Sequence, residues 1–286
     1  MTNVFIISCL IFAFSVAYGD SASFDEKEFI KNMALAEKGD AEAQYRVGVM
    51  LHLGKGVPEN KQKGSAWINK SASQGNAIAQ SYMALRFYTD GKYSEAFTWF
   101  KKSAEKGDAF AQLCLGDMYF EGKGTARNYR AAFKWYHKAA DQGITRAQYS
   151  LGVMYYDGLG VPQSYRNAIT WYRKAADQGN ASAQYNIGLM YYHGFGVLQN
   201  FPEAIKWYTI SAEQGDVDAQ YNIGLMYLKG EGVPQNYVQA YKWISIARAK
   251  GDRDAINILP GIAGKMTKEQ IAEAQRSALV FWEKIK

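Results

Sequence analysis

The chain has 286 residues, with 33 Lys and Arg against 27 Asp and Glu and a net charge of +6. A solvated outer face is the preferred explanation of that surplus, with a weak attraction to anionic partners or membrane surfaces as the alternative. Two cysteines, Cys9 and Cys114, and three scattered histidines, His52, His137 and His193, exclude a zinc site of His/Cys spacing and a disulfide-rich scaffold.

The first nineteen residues carry no charged side chain, and Val4 to Val16 is almost wholly apolar. This run is shorter than the ~20 residues that span a bilayer. It ends in Ala17-Tyr18-Gly19, with small residues at the two positions a signal peptidase reads. Residues 1–19 are therefore expected to be a cleaved signal peptide, with the mature chain starting at or near Asp20. An uncleaved anchor and a cytosolic chain are the alternatives. Cys9, preceded by Ile6-Ile7-Ser8, comes too early for a lipobox. Cleavage would remove it and leave Cys114, which reads as a half-buried packing residue beside Leu113, Leu115 and Gly116. The expected location is periplasmic, secreted or at the cell surface, with no stable membrane span after cleavage. Residues 20–39 then form an N-terminal cap, whose helix from Phe24 to Lys38 sets Phe29, Ile30, Met33 and Ala36 on one side.

From there the chain repeats. Trp67, Trp99, Trp135, Trp171, Trp207 and Trp243 are spaced by 32, 36, 36, 36 and 36 residues, and Gly39, Gly75, Gly107, Gly143, Gly179, Gly215 and Gly251 keep the same beat. A fixed period of this size marks an array of stacked supersecondary units. In the unit Asn180 to Gly215, Ala183, Ile187, Gly188 and Tyr191 fall at three- and four-residue steps, which predicts an amphipathic helix. Asn180 is its N-cap, as are Asp40, Asn76, Asp108 and Asp216 at the matching sites. Gly194 suits the left-handed turn after the helix, and Pro202 the first turn of a second helix that ends at Gly215. Each unit is thus a helix hairpin. Glycine recurs within the first helices at Gly48, Gly116, Gly152, Gly188 and Gly224, where it costs ~1 kcal/mol against alanine. Close helix approach is the expected compensation, with Ala96, Ala132, Ala168, Ala204 and Ala240 three residues before each tryptophan. The second unit is four residues short, and Thr89-Asp90-Gly91-Lys92-Tyr93 confines the loss to the inter-helix loop.

The run A-Q-Y-x-[IL]-G-x-M-Y-x-x-G-x-G-V-P-Q-x-[YF]-x-x-A-x-x-W-Y-x-K-A-A-x-Q-G, nearly whole at Ala147–Gly179, resembles the Sel-1-like repeat, a relative of the tetratricopeptide repeat. The resemblance covers residues 40–251 in six copies. It implies an all-α fold, a right-handed α/α solenoid of about six 36-residue hairpins with capping helices at both ends. It also implies an adaptor that binds other proteins, of the exported bacterial type. Lys31 stands where a tryptophan would fall in the leading half-unit, and the cysteines of the disulfide-rich branch of the family are missing.

Residues 252–286 are expected to close the array. Asp252 to Leu259 reads as one more first helix stopped by Pro260-Gly261, and Thr267 to Gln270 fits a capping box that opens a last helix to about Ile285. Ile271, Ala274, Ala278 and Trp282 would lie over the final groove.

No catalytic constellation stands out. The Gly-Lys-Gly at Gly54 and Gly122 lacks phosphate-loop spacing and recurs in the same turn as Gly158-Leu159-Gly160 and Gly230-Glu231-Gly232. The chain is therefore expected to be no enzyme and to use no metal or cofactor. The alternative is a hydrolase acting on cell-wall or lactam-type substrates, an activity suggested for disulfide-rich relatives. Tyrosines could stack nucleic-acid bases, but they recur inside the repeat, where core packing explains them, so nucleic acid is not an expected partner. Lys134, Lys206 and Lys242 precede their tryptophans, and Lys70, Lys102, Lys138 and Lys174 follow by three, which predicts a basic stripe on the second helices. The informative positions vary while the repeat stays fixed. One series is Arg46, Tyr82, Cys114, Ser150, Asn186 and Asn222; seven residues on it is Leu53, Thr89, Glu121, Asp157, His193 and Lys229. Seven residues is nearly two turns, so both series share a face of the first helices. A groove built on Asp157, Asn186, Tyr192, His193, Asn222 and Lys229, with Tyr156 beside it, is the candidate site for a protein or peptide; ordinary drift on an exposed face is the competing explanation. The chain is expected to act as a monomer.

Overall fold

Capping side chains set where nearly every helix of this chain begins. The computed structural model describes residues 25–284; the expected signal peptide, its cleavage near Asp20, and Cys9 lie outside them. Among the described residues there are fifteen α-helices and no strand. They are α1 (Glu26–Glu37), α2 (Ala41–Leu53), α3 (Lys61–Ser73), α4 (Ala77–Thr89), α5 (Tyr93–Glu105), α6 (Ala109–Glu121), α7 (Tyr129–Asp141), α8 (Thr145–Asp157), α9 (Tyr165–Asp177), α10 (Ala181–His193), α11 (Phe201–Glu213), α12 (Val217–Lys229), α13 (Tyr237–Ala249), α14 (Arg253–Ala263) and α15 (Lys268–Lys284). Asp40, Asn76, Asp108, Asn180 and Asp216 each accept a hydrogen bond from the N–H three residues on, as their spacing predicts. Asn60, Asn128, Ser164, Asn200 and Asn236 do the same for second helices. The shortened second hairpin keeps both helices at full length, but α5 starts at Lys92 without a side-chain cap.

The chain divides into two compact units, Met1–Ala147 and Gln148–Lys286, with the division inside α8. In the first unit, α2 packs on α3, α4 on α5 and α6 on α7, while α1 covers α2, α3 meets α4 and α5 meets α6. In the second, α10 pairs with α11 and α12 with α13, with α9 against α10 and α11 against α12; α14 and α15 close over α13. In place of a long stretch of apolar sequence, each unit buries the same few small and aromatic side chains at every step.

The mid-helix glycines show how. A Cβ on Gly188 would lie 2.6 Å from the Tyr208 ring, so only glycine lets that ring lie flat against α10. Tyr208 follows Trp207, and Ile68, Tyr136, Tyr172 and Ile244, each one residue after its tryptophan, fill the same place against Gly48, Gly116, Gly152 and Gly224. In the short second hairpin Ala84 meets Phe100 instead, and both are buried. The alanines three residues before the tryptophans are fully buried too, but the side chain that occupies the space left by glycine is the one after tryptophan. The second glycine of the inter-helix loop has another purpose. Gly232 (φ 74°) sits against the backbone at Phe201, where a Cβ would come within 2.6 Å of the carbonyl carbon.

An amide ladder, in which one glutamine of each pair is buried, ties the hairpins together. In the first unit Gln44 Nε2 donates to the Ala36 carbonyl (3.0 Å), and Gln74 Nε2 donates to Gln44 Oε1 (2.6 Å). Gln112 donates to the Ala104 carbonyl (3.2 Å), and Gln142 donates both to Gln112 Oε1 (2.8 Å) and to the Gly107 carbonyl (2.9 Å). The second unit repeats the pattern with Gln178 on Gln148 and Gln214 on Gln184. The ladder breaks where lysine replaces the second glutamine. Lys106 and Lys250 donate to the Gly75 and Gly215 carbonyls, and Gln80 Oε1 and Gln220 Oε1 are left buried with no hydrogen-bond partner.

The C-terminal cap differs from the sequence expectation at one point. Pro260 and Gly261 do not stop the helix that follows Asp252; α14 runs through both to Ala263. Proline costs the bond to the carbonyl of residue 256. Ile256 is solvent-exposed and only one turn of helix remains, so the loss is small. The capping box is formed as expected: Gln270 N donates to Thr267 Oγ1 (3.3 Å) and Thr267 N to Gln270 Oε1 (2.9 Å). Ala274 is buried, and Phe281 meets Trp243 edge-on at 4.8 Å.

Candidate functional site

The first helices of the second unit bring three of the six expected residues to one cavity. Leu189, Tyr192 and His193 of α10, Tyr208 of α11, and Asn222, Leu225 and Met226 of α12 enclose about 170 Å³. The helical step explains the grouping, because residues three and four apart share a face and α10 and α12 present the same face. Leu189 and Leu225 are equivalent residues of successive repeats, so the walls come from one sequence position used twice.

Polar groups line this apolar space. Asn222 Nδ2 donates to the Tyr185 hydroxyl at 3.4 Å, and Tyr185 lies 5.6 Å from the Tyr208 ring. Burial, followed by the neighbouring Tyr185, pushes the Tyr208 phenol well above its ordinary range. Burial likewise raises Tyr185 and Tyr192, in the latter case assisted by Glu231. These phenols keep their protons at neutral pH and serve as hydrogen-bonding groups, and the His193 imidazole stands edge-on to Tyr192 with ring centroids 5.0 Å apart.

Lys229 reaches the cavity through a clasp. Tyr192 Oη donates to Glu231 Oε2 (2.7 Å), Lys229 Nζ donates to Tyr192 Oη (3.4 Å), and Lys229 lies 3.8 Å from Glu231 Oε1. Tyr192 is thereby committed to the next repeat and is not a free anchor. His193 stacks on Phe195 at 5.2 Å, Phe195 on Tyr165 at 4.8 Å, and Tyr156 meets both Tyr165 and Phe195 edge-on. A row of rings therefore leads from α8 towards the cavity. Asp157 and Asn186 do not line the cavity; Asp157 is exposed at the end of α8 and Asn186 is half-buried on α10.

Glu231 and Phe195 were missed at the sequence level because they sit in Gly-x-Gly loops that repeat as structure. Their middle residue nevertheless changes from Lys55 and Lys123 to Leu159, Phe195 and Glu231 while the glycines stay, and that was the available signal. In the first unit Lys123 plays the same part. It donates to the Tyr88 hydroxyl (3.2 Å) and pairs with Glu121 (2.6 Å). There the position of Leu189 is taken by Asp117, which accepts from Tyr136 Oη (2.8 Å) and pairs with Arg146 (2.9 Å). Burial raises the Asp117 carboxyl, and Arg146 pulls it back.

Two further expectations change in detail. Tyr82 belongs to the variable polar series but is a core residue, with its hydroxyl 3.2 Å from His52 Nε2. The lysines three residues after tryptophan are not simply a solvated stripe: Lys70, Lys102, Lys138 and Lys174 lie over Trp67, Trp99, Trp135 and Trp171 at 5.1, 4.7, 4.4 and 3.9 Å. Such cation–π contacts add roughly 0.5–1 kcal/mol each at exposed sites. Among the described residues no three His, Cys, Asp or Glu side chains gather as a metal would need, and no helix is long and apolar enough to cross a membrane.

Comparison with known proteins agrees with this architecture. The Sel1 repeat model matches residues 41–76, 77–108, 109–144, 145–180, 181–216 and 217–252. A crystal structure of a protective antigen from uropathogenic Escherichia coli, described as displaying an SLR fold, is 30% identical with a TM-score of 0.77 over 98% of this chain. This chain spans 61% of that antigen's length. A Sel1 repeat protein from Oxalobacter formigenes is also 30% identical, with a TM-score of 0.63 over 90% of this chain and 76% of its own. A search of curated proteins gives no match. Sel1 repeats typically form protein-interaction scaffolds. Six matched hairpins over residues 41–252, with a glycine column filled by the residue after each tryptophan, place this chain in the Sel1 repeat family.

Proposed function

We propose that the chain is an exported, non-enzymatic scaffold that binds a protein or peptide segment on the first-helix face of its second unit. The observation that carries the reading is the cavity between α10 and α12, where apolar walls meet the Asn222 amide. Its 170 Å³ is close to the ~150 Å³ that admits a benzene ring in an engineered protein cavity, so one leucine- or phenylalanine-sized side chain fits. A segment seated there would offer backbone groups to Asn222, while Lys229 and Glu231 border the entry with both charges. Asn186 and Asp157 would extend contact along α10 and α8. Export rests on the apolar stretch Val4 to Val16 and on Ala17-Tyr18-Gly19. The description of the Escherichia coli structure as a protective antigen is compatible with that location.

The test is affinity capture from envelope extract with the parent chain, a Leu225→Trp variant that fills the cavity, and an Asn186→Ala/Asn222→Ala pair. A partner retained by the parent should be lost with Leu225→Trp. The double alanine variant should weaken binding by about 0.5–1.5 kcal/mol for each hydrogen bond removed. Lys134→Glu with Lys206→Glu, on the second helices, should leave capture intact. Loss with the lysine pair alone would move the binding surface to the second helices. Amino-terminal sequencing of the envelope protein should start near Asp20; recovery of an intact Met1 chain in the cytosol would overturn export.

A further inference from the structure

The C-terminal helix presents an exposed stripe that nothing in the hairpin core requires. On α15, Ile271, Ala274, Ala278, Phe281 and Trp282 face the body of the second unit and pack into its apolar clusters. Arg276, Leu279, Val280 and Glu283 stand at i, i+3, i+4 and i+7, share the outer face, and are all exposed, with Leu279 at 64% and Val280 at 68%. Among the described residues neither Arg276 nor Glu283 forms a salt bridge. Beside the stripe, Tyr241, Ile246, Ala249, Ala278, Leu279 and Trp282 border a largely apolar cleft of about 370 Å³, so the apolar surface extends beyond two side chains.

The order of these residues matches a second copy of itself. When two such helices lie antiparallel about a two-fold axis between Leu279 and Val280, Leu279 faces Val280 of the second copy. The same axis sets Arg276 opposite Glu283 of the second copy, and Glu283 opposite its Arg276. An isologous contact needs a self-complementary patch of this kind. We infer that α15 is a self-association surface, through which two copies of this chain pair by Leu279 and Val280 with two reciprocal Arg276–Glu283 ion pairs. About this axis the ten residues 275–284 of the helix overlap, a contact ~15 Å long, which makes a small interface and a weak, concentration-dependent dimer. The pairing is independent of the α10–α12 cavity, so partner binding and dimerisation can fail separately.

Sedimentation equilibrium of the full chain over a concentration series tests this, with Arg276→Glu and the swapped pair Arg276→Glu/Glu283→Arg alongside. The parent should show a reversible monomer–dimer equilibrium. Arg276→Glu sets like charges opposite each other twice and should weaken it at least about tenfold. The swapped pair restores both ion pairs and should restore the dimer. At concentrations where the parent is monomeric, all three chains should share one thermal midpoint, because the stripe lies outside the core; at higher concentration the midpoints of the parent and the swapped pair should rise above that of Arg276→Glu by mass action. A parent that is monomeric at every concentration, an association indifferent to Arg276→Glu, or a swapped pair that folds but stays monomeric would each overturn the inference.

Discussion

Replacing Lys250 by glutamine should stabilise the protein, although lysine is the residue present. At Gln142 one amide donates to the Gly107 carbonyl and to Gln112 Oε1 together. At Lys250 the ammonium donates to the Gly215 carbonyl (2.9 Å), and Gln220 Oε1 stays buried without a partner. A buried, unpaired acceptor costs about 1–3 kcal/mol, and Lys250→Gln supplies the missing donor from a position where glutamine already serves in four other hairpins. The change gives up the Lys250 contact with the Trp282 ring (5.6 Å), worth about 0.5–1 kcal/mol. The net expectation is a gain of ~0.5–2 kcal/mol, or about 2 °C or more in thermal midpoint for a chain this size. Lys106→Gln should act in the same way on Gln80, and the two gains should add because they share no partner.

Repeat arrays need not unfold in one step, so hydrogen exchange should accompany the melting curve. Slower exchange should appear in α12 and α13 for Lys250→Gln and in α4 and α5 for Lys106→Gln. The reverse change, Gln214→Lys, should orphan Gln184 Oε1 and cost about 1–3 kcal/mol. If neither Lys→Gln variant is more stable and Gln214→Lys is silent, the amide ladder contributes nothing and its recurrence needs another cause.

Gly188→Leu should destabilise by about 1–3 kcal/mol or more by forcing Tyr208 off α10, measured by urea unfolding; a variant as stable as the parent would mean that the glycine column is no contact site. Lys92→Asn should give α5 the cap its counterparts have and raise stability by ~0.5–1 kcal/mol in the same assay. His52 is buried, and burial, then the positive charges of Arg86 and Lys61, hold its pKa below the ordinary 6.5 despite the opposing Glu59; it also faces the Tyr82 hydroxyl. The folded state therefore favours neutral imidazole. Its contribution is complete above the unfolded value and declines as the pH falls through 6.5 towards the folded value. The thermal midpoint should drop on acidification through that range in the parent and drop less in His52→Gln; identical profiles would remove His52 from the account.

The hairpin plan was legible because it depends on local chemistry. Asp40, Asn76, Asp108, Asn180 and Asp216 announce helix starts from a single side-chain bond each, and the tryptophan beat counts the hairpins. The extension of α14 through Pro260 was not legible: whether proline ends a helix depends on what the lost bond costs, and that depends on exposure. Half of the candidate site was visible. Tyr192, His193 and Asn222 meet because their spacing puts them on one face. Asp157 stays apart, and the walls Leu189, Leu225 and Met226 were indistinguishable from core by hydrophobicity alone. The amide ladder is not legible in the sequence because Gln44 and Gln74, for example, lie thirty residues apart and pair only once the two helices of their hairpin close on each other.

The division of labour between fixed and variable residues bears on what the groove can do. Stacking is carried by the glutamines, the mid-helix glycines and the side chain after each tryptophan, and these positions vary narrowly: lysine stands at 106 and 250, alanine at 84, and Ile, Phe or Tyr after each tryptophan. The centre of the Gly-x-Gly loop reaches the preceding repeat through its side chain at Lys123, Phe195 and Glu231, while the flanking Gly124, Gly196 and Gly232 lie against that repeat's backbone. Replacing that central side chain therefore alters the groove without disturbing the stack. The chain uses this freedom: Lys123 makes a cationic clasp on Tyr88, Phe195 continues a row of rings beside His193, and Glu231 takes the Tyr192 proton-donor contact. One loop position thus changes a groove step from basic to aromatic to acidic. For a partner bound on the proposed face, substitution at Phe195 or Glu231 should therefore weaken binding more than substitution at Asp157.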